Sequence, residues 1–288
     1  MTLMQVNPTS RCPNCSAELH GPFCAECGQR QLDLDRPLRD IGGEAMEAFL
    51  SFDTRIARTL WPLIARPGFL TEEFLAGRRA RYVHPFKLYF AFSVLLFLGI
   101  SMSGYTVIRI SGDDDLVVTA GGVTSGEEVR TTSVGAEAEA PSILERVFEP
   151  LGELMEKDPD RLNRIFTDRL AKSVIILVPV FALLLRAIFW RKSYISGLVF
   201  SLHSHSFAFL AILAGLALNL GLGAAEGEGP GNAFGTAAIM VYTFLAMRRV
   251  YANGRLLTIA KMFVLLLFYL VALILTMILT LAVTAATI

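Results

Sequence analysis

Apolar positions along this chain fall into long blocks, with polar residues collected between them. A helix needs about 20 consecutive, mostly apolar residues to cross the hydrocarbon core of a bilayer. Five blocks meet or approach that length, over roughly 86–106, 172–190, 195–222, 233–248 and 262–286. The second carries Pro179, which predicts a kink. The fourth is short, so a re-entrant or buried segment is the alternative there. The fifth is almost free of charge. The pattern predicts an all-α membrane protein, a five-helix transmembrane bundle.

Upstream of the first block the periodicity changes. Ile56, Leu60, Leu63 and Ile64 recur at helical spacing within 41–84 and predict an amphipathic juxtamembrane helix. Pro67–Gly68 breaks it. Thr71 reads as the N-cap of a short second helix, with Glu72 and Glu73 in its first turn and Gly77 at its end. Residues 31–40, QLDLDRPLRD, read as a linker. The long loop after the first span divides in two. Its 110–141 part is rich in glycine, threonine and acid, and reads as a weak hairpin (DDLVVTAGG with EEVRTTSVG) or a disordered stretch. Its 142–170 part shows helical periodicity through Ile143, Leu144, Val147, Phe148, Leu151, Leu154 and Met155. The chain thus divides into 1–30, a linker and juxtamembrane section 31–85, and a transmembrane section 86–288 with an outer loop 107–170.

Charge adds an orientation. Arg78, Arg79, Arg81 and Lys87 stand at the entry to the first span, Arg191 and Lys192 between the second and third, and Arg248, Arg249, Arg255 and Lys261 between the fourth and fifth. The alternate loops are acidic: Asp113, Asp114, Asp115, Glu127, Glu128, Glu137 and Glu139 in one, Glu226 and Glu228 in the other. The positive-inside rule then places the N-terminus in the cytoplasm and the C-terminus outside. Arg161, Arg164, Arg169 and Lys172 run against it, and fit an interfacial helix instead. The opening MTLMQVNPTSRCPNC lacks the charged and apolar regions of a signal peptide, so insertion is expected to start from the first span. Composition agrees with a membrane protein: 53% of residues are hydrophobic and 18% charged, against about 25% charged in soluble domains.

All four cysteines, Cys12, Cys15, Cys24 and Cys27, lie in the first thirty residues, as CPNCSAELHGPFCAECGQ. A disulfide scaffold spreads its cysteines to staple loops; two C-x2-C knuckles instead turn four thiolates toward one point. The pattern predicts a structural, closed zinc site, with iron as the alternative metal. The module is too small to build a core, so metal binding is expected to supply its folding energy. It reads as a metal-stapled knob or as a docking module for another protein. Nucleic acid is not an expected partner, because Arg11 and Arg30 are balanced by Glu18 and Glu26.

Several stretches resemble one family: FCAECGQ, then FDTRIARTLWPLIARPGFLTEEFLAGRRARYVHPFKLYF, VPVFALLL, LVFSLHSHSFAFL and YTFLAMRRVY. The central motif is a proline–glycine break followed by G-[RK]-R-x-x-Y-x-x-P-[FY], matched at Gly77, Arg78, Arg79, Tyr82, Pro85 and Phe86. The chain is similar to bacterial multi-pass membrane proteins known only as a domain of unknown function, in which an N-terminal zinc ribbon precedes transmembrane helices. The resemblance implies a membrane location, here the bacterial inner membrane, and zinc binding. It implies no activity. The family often has an acidic residue and a histidine just before the LVF stretch; Ser196 and Gly197 stand there in this chain.

The third span carries His203 and His205, with Ser201 and Ser206 close by. Residues two apart on a helix lie roughly 200° apart, so the two imidazoles face nearly opposite ways and cannot share a metal from an unbroken helix. Three readings stand: neutral histidines bridging helices by hydrogen bonds, a proton or substrate pathway, or a metal or catalytic centre. Arg186 reads as a snorkelling residue and Asn219 as a cap of its own helix. Arg78, Arg79 and Arg81 read as a topology anchor or as contacts for anionic lipid headgroups. No H-E-x-x-H, G-x-S-x-G or phosphate-binding loop occurs. The leading expectation is a non-enzymatic scaffold or regulatory subunit, in contact with membrane lipids and a cytoplasmic protein, and compatible with an oligomer. A small transporter or channel using the third span is the rival, and an intramembrane enzyme a third reading.

Overall fold

The computed structural model describes residues 11–29, 55–103, 159–224 and 229–285. Among the described residues there are seven helices and no strand. They are α1 (Ile56–Ala65), α2 (Phe69–Leu75), α3 (Pro85–Ser103), α4 (Pro159–Ile188), α5 (Tyr194–Gly221), α6 (Pro230–Tyr251) and α7 (Arg255–Ala285). The linker 31–40, the hairpin of 110–141 and residues 142–158 lie outside the described residues.

Helix α5 is the axis. It packs against α6, α4 and α3, while α4 packs also on α7. Three helices are long and apolar enough to cross a membrane: Pro85–Ser103, Tyr194–Gly221 and Arg255–Thr284. Of their most apolar windows, 61% is buried in α5, 22% in α3 and 6% in α7. A helix as apolar as α7 that the fold leaves bare on nearly all sides needs a solvent of hydrocarbon, because water would not tolerate it. Phe263, Leu267, Leu275 and Leu279 on α7 are all at least half exposed.

The α5–α6 pair is close because small residues face each other. A Cβ on Gly215 would stand 2.4 Å from the Gly231 carbonyl oxygen, and one on Gly231 2.0 Å from that of Gly215. Gly235 approaches the Ala211 backbone in the same way, one turn along. In a membrane, where apolar side chains gain little by leaving lipid, such backbone approach drives helix pairing. Gly197 serves the α4–α5 contact: its Cβ would lie 2.9 Å from the Ala182 carbonyl oxygen. Position 197 therefore has no room for a side chain in this packing.

Three expected spans are shorter than the helices observed; α7, expected from about 262, already starts at Arg255. Helix α4 begins at Pro159, so Arg161, Arg164, Arg169 and Lys172 lie on the same continuous helix as the apolar stretch Ile175–Ile188. Pro179 sits inside without ending it. Helix α6 covers 22 residues, more than the apolar block 233–248 alone, because Pro230 at its first turn starts it early and Arg248–Tyr251 continue it.

The juxtamembrane helices share a core with the bundle. Leu63, Leu70 and Val83 are buried together with Leu88, Tyr89, Phe92, Leu96, Val178, Leu202 and Phe209. Gly68, at φ +79°, turns the chain between α1 and α2 and brings its backbone against Ala246 of α6. The expected N-cap at Thr71 is corrected. Gly68 is the N-cap of α2, and Thr71 lies within the helix, buried. Phe69 and Leu70 already take helical geometry, so the Thr71 hydroxyl is free to reach another helix. The α2 end is as expected. Gly77 is left-handed, its N–H donates to the Phe74 carbonyl and the Arg78 N–H to that of Glu73, a Schellman closure.

Candidate functional site

The cysteine module is two copies of one turn. In the first, the Cys12 N–H donates to the Ala17 carbonyl and the Ser16 N–H to that of Cys12; in the second, Cys24 donates to Gln29 and Gly28 to Cys24. The residue after each second cysteine is left-handed, Ser16 at φ 65° and Gly28 at φ 69°. The four Sγ atoms lie within 4.8 Å of one another, with Cys12–Cys27 at 3.6 Å and Cys15–Cys24 at 3.4 Å. Sulfurs at about 2.3 Å from a tetrahedral zinc stand about 3.8 Å apart. The donor set therefore fits a tetrahedral metal. Leu19, Cys12 and Cys24 form the module's small core. No fifth ligand side chain joins the cluster among the described residues, so a bound metal would be closed off and structural.

A residue without an assigned role in the sequence fixes this module to the rest. The Gln29 amide nitrogen donates to the Gly77 carbonyl at 2.6 Å, while its oxygen accepts from the N–H groups of Arg79 and Ala80, both at 3.0 Å. Pro13 packs over Gly77, where a Cβ would lie 3.0 Å from the proline ring. The module therefore sits on the turn between α2 and α3. The available signal was its place in the C-x2-C-G-Q run, two residues after Cys27.

The two histidines of α5 point to different neighbours, as their spacing requires. The His205 Nδ1 donates to the Ser201 carbonyl at 2.8 Å, which leaves Nε2 to accept from the Tyr269 hydroxyl at 2.8 Å. Phe181, Tyr89 and Phe209 meet the same ring edge-on. Ser201 donates to the Val178 carbonyl of α4, and Ser206 to the Leu202 carbonyl of its own helix. Ser206 thus does not serve His203. Instead His203 Nδ1 lies 3.0 Å from the Thr71 hydroxyl of α2. Asn219 caps a helix other than the one expected. Its side-chain oxygen accepts from the Gly231 N–H and its amide donates to Asn232, both in the first turn of α6.

His203 belongs with the arginines. It lines a cavity of about 160 Å³ together with Arg55, Arg78, Arg79, Lys87 and His84. Leu70, Phe74, Tyr82 and Val83 complete the wall. Arg81 is exposed and lies outside it. Several wall residues are anchored locally. Val83 donates its N–H to the Thr59 hydroxyl, Arg55 donates to the Ala80 carbonyl, and Arg79 donates to the Phe74 carbonyl while stacking on the Phe74 ring. Arg78 forms a two-toothed pair with Glu73, which holds that carboxyl below its ordinary range. Burial, then the positive charge of Arg79, pushes His84 down to about 4, so it is neutral at neutral pH.

The basic turns meet at this end of the bundle. Arg249 pairs with Glu72 at 2.5 Å, Lys261 lies over the Phe189 ring, and Phe189 stacks on Tyr251. One family matches the chain, described as "Protein of unknown function (DUF3667)", over residues 53–97. That stretch holds every cavity-lining residue except His203. No curated protein and no solved structure matches the chain.

Proposed function

We propose that the protein is a scaffold or regulatory subunit of the bacterial inner membrane, carrying a cytoplasmic head that binds another protein. The observation that carries this reading is the Gln29 amide, which donates one hydrogen bond to the backbone of the α2–α3 turn and accepts two from it. A protein seated on the cysteine module would press on that turn, and through Thr71 on α5. Zinc is the metal proposed for Cys12, Cys15, Cys24 and Cys27; it would stabilise the module's fold and supply no reaction there.

Five spans are proposed, N-terminus inside. Helix α6, at 22 residues, is about 33 Å long, enough for a hydrocarbon core of about 30 Å. Its glycines and threonine lower its hydropathy where it faces α5 rather than lipid. Helix α4 is longer still. The gathering of Arg249, Lys261 and the α2–α3 turn at one end supports a cytoplasmic face there. The transporter reading has less support, because His203 and His205 bond to different helices and form no chain. The test is co-purification of a partner from native membranes. Loss with the four-cysteine-to-serine variant and with Gln29→Ala, but retention with His205→Ala, is the expected result. Abolished flux in proteoliposomes for folded His203→Ala or His205→Ala would favour the transporter.

A further inference from the structure

Helix α1 carries two apolar faces, and the bundle uses one of them. Leu63, fully buried, joins the core with Leu88 and Tyr89 of α3, and Leu60 packs against the same cluster. The Thr59 hydroxyl, on that face, accepts from the Val83 N–H. The opposite face is bare. Ala57, Trp61 and Ile64 follow at i, i+4 and i+7, which puts them in one stripe along the helix. All three are exposed, Trp61 at 68% and Ile64 at 50%. Arg58, also exposed, flanks the stripe.

The level of α1 on the bundle says what covers that stripe. Val83, which Thr59 holds, lies two residues before α3 begins at Pro85. From Leu88 to Ser103 α3 carries no charged residue, and Lys87 stands just before that run. A basic residue at the head of an uncharged run marks where hydrocarbon gives way to headgroups. Helix α1 therefore lies at that boundary. Phe86, in the first turn of α3, is 41% exposed at the same level, and Leu95 and Leu98 further along keep about half their surface bare. The lipid-facing surface of α3 thus reaches up to the level of α1. Tryptophan suits that depth better than any other side chain, since its ring is large and apolar and its N–H stays wet. An arginine beside it lays its methylenes along the apolar surface and keeps its head among the headgroups.

We propose that α1 lies in the headgroup–acyl boundary of the surrounding bilayer, with Ala57, Trp61 and Ile64 inserted into lipid and Arg58 among the headgroups. The stripe reaches about 5–10 Å in, as in other interfacial amphipathic helices. The proposal rests on α3 being a membrane span. Its consequence lies with the cysteine module. Helix α1 shares a core with α2 and α3, and the module sits on the turn between those two, so a lipid-seated α1 fixes the module close to the membrane surface.

The test reads Trp61 fluorescence from the full chain in liposomes. The protein has two tryptophans, Trp61 and Trp190. The Trp61 signal is the difference between wild type and Trp61→Phe, and Trp190→Phe reports it directly. The liposomes are phosphatidylcholine, either plain, brominated near the carboxyl end of the acyl chain, or brominated near its tail. Trp61 should lose most of its emission to the carboxyl-end bromines, less to the tail bromines and least to iodide in the water. Iodide as the strongest quencher places the ring in water and overturns the proposal. Tail bromines as the strongest place it in the hydrocarbon core and overturn it too. Emission that no bromine quenches does the same, since another part of the protein then covers the stripe. A chain that does not enter liposomes overturns the membrane-spanning reading, and this proposal with it.

Discussion

Around residue 204 the two sides of α5 are made into different things. On the His205 side, the imidazole is closed in by Phe181, Tyr89, Phe209 and Tyr269, with both ring nitrogens occupied. On the His203 side, the same residue type has one hydroxyl partner and then the wall of a basic cavity. The helix supplies only the angle between them. What makes one a structural bridge and the other a cavity floor is what stands opposite, Phe181 of α4 and Tyr269 of α7 on one side and α2 with the α2–α3 turn on the other. A polar residue in a membrane helix therefore takes its role from its neighbour, and two of them do not make one site by being close in sequence.

The largest effect expected from this contrast is His205→Ala. It removes a buried ring from an aromatic cage and leaves the Tyr269 hydroxyl without an acceptor. A loss of about 3 kcal/mol is predicted, read by thermal or denaturant unfolding in detergent. His203→Ala should cost less, since its site already borders empty space. Equal losses would break the contrast.

The next effect is on pH. Burial, then the charge of Arg79, pushes the His84 imidazole down to about 4 in the folded protein, against 6.5 for an unperturbed ring. The unfolded chain then binds more protons between those values, so stability falls as pH drops through that window and levels off below it. His84→Asn should remove on the order of 2 kcal/mol of that dependence, allowing for the ring's partial exposure. An unchanged profile would mean that other groups on the cavity side carry it.

The smallest effects are single hydroxyls. Tyr269→Phe and Thr71→Val should each cost about 1 kcal/mol. Only Thr71→Val should loosen α2, seen as faster amide exchange in Phe69–Leu75. If Tyr269→Phe does the same, the two sides of α5 are coupled rather than separate.

Much of this was legible in the sequence where the determinant is local. The C-x2-C repeats carry their own turn geometry, so the four cysteines meet as their spacing says. The opposition of His203 and His205 follows from helical angle alone. Gly77 ends α2 because few other residues take its left-handed backbone easily. What was not legible came from packing between distant segments. Thr71 has the side chain of an N-cap, and only its burial against His203 shows another use. Asn219 stands at a helix end as a cap would, yet caps the next helix through a glycine crossing that no periodicity reveals. The cavity draws on the α1 entry, the α2–α3 turn and α5, so the charge run Arg78–Arg79–Arg81 does not show that the third member is outside.

The four cysteines are placed to hold a metal, and the α5 histidines serve as polar groups of the helix packing. Metal content per chain of the detergent-purified protein, wild type against the variant with all four cysteines changed to serine, tests both at once. One zinc per wild-type chain, and none in a variant whose helical bundle still unfolds cooperatively, is the predicted result. Metal that persists in the folded variant would contradict it, and would make the α5 histidines ligand candidates.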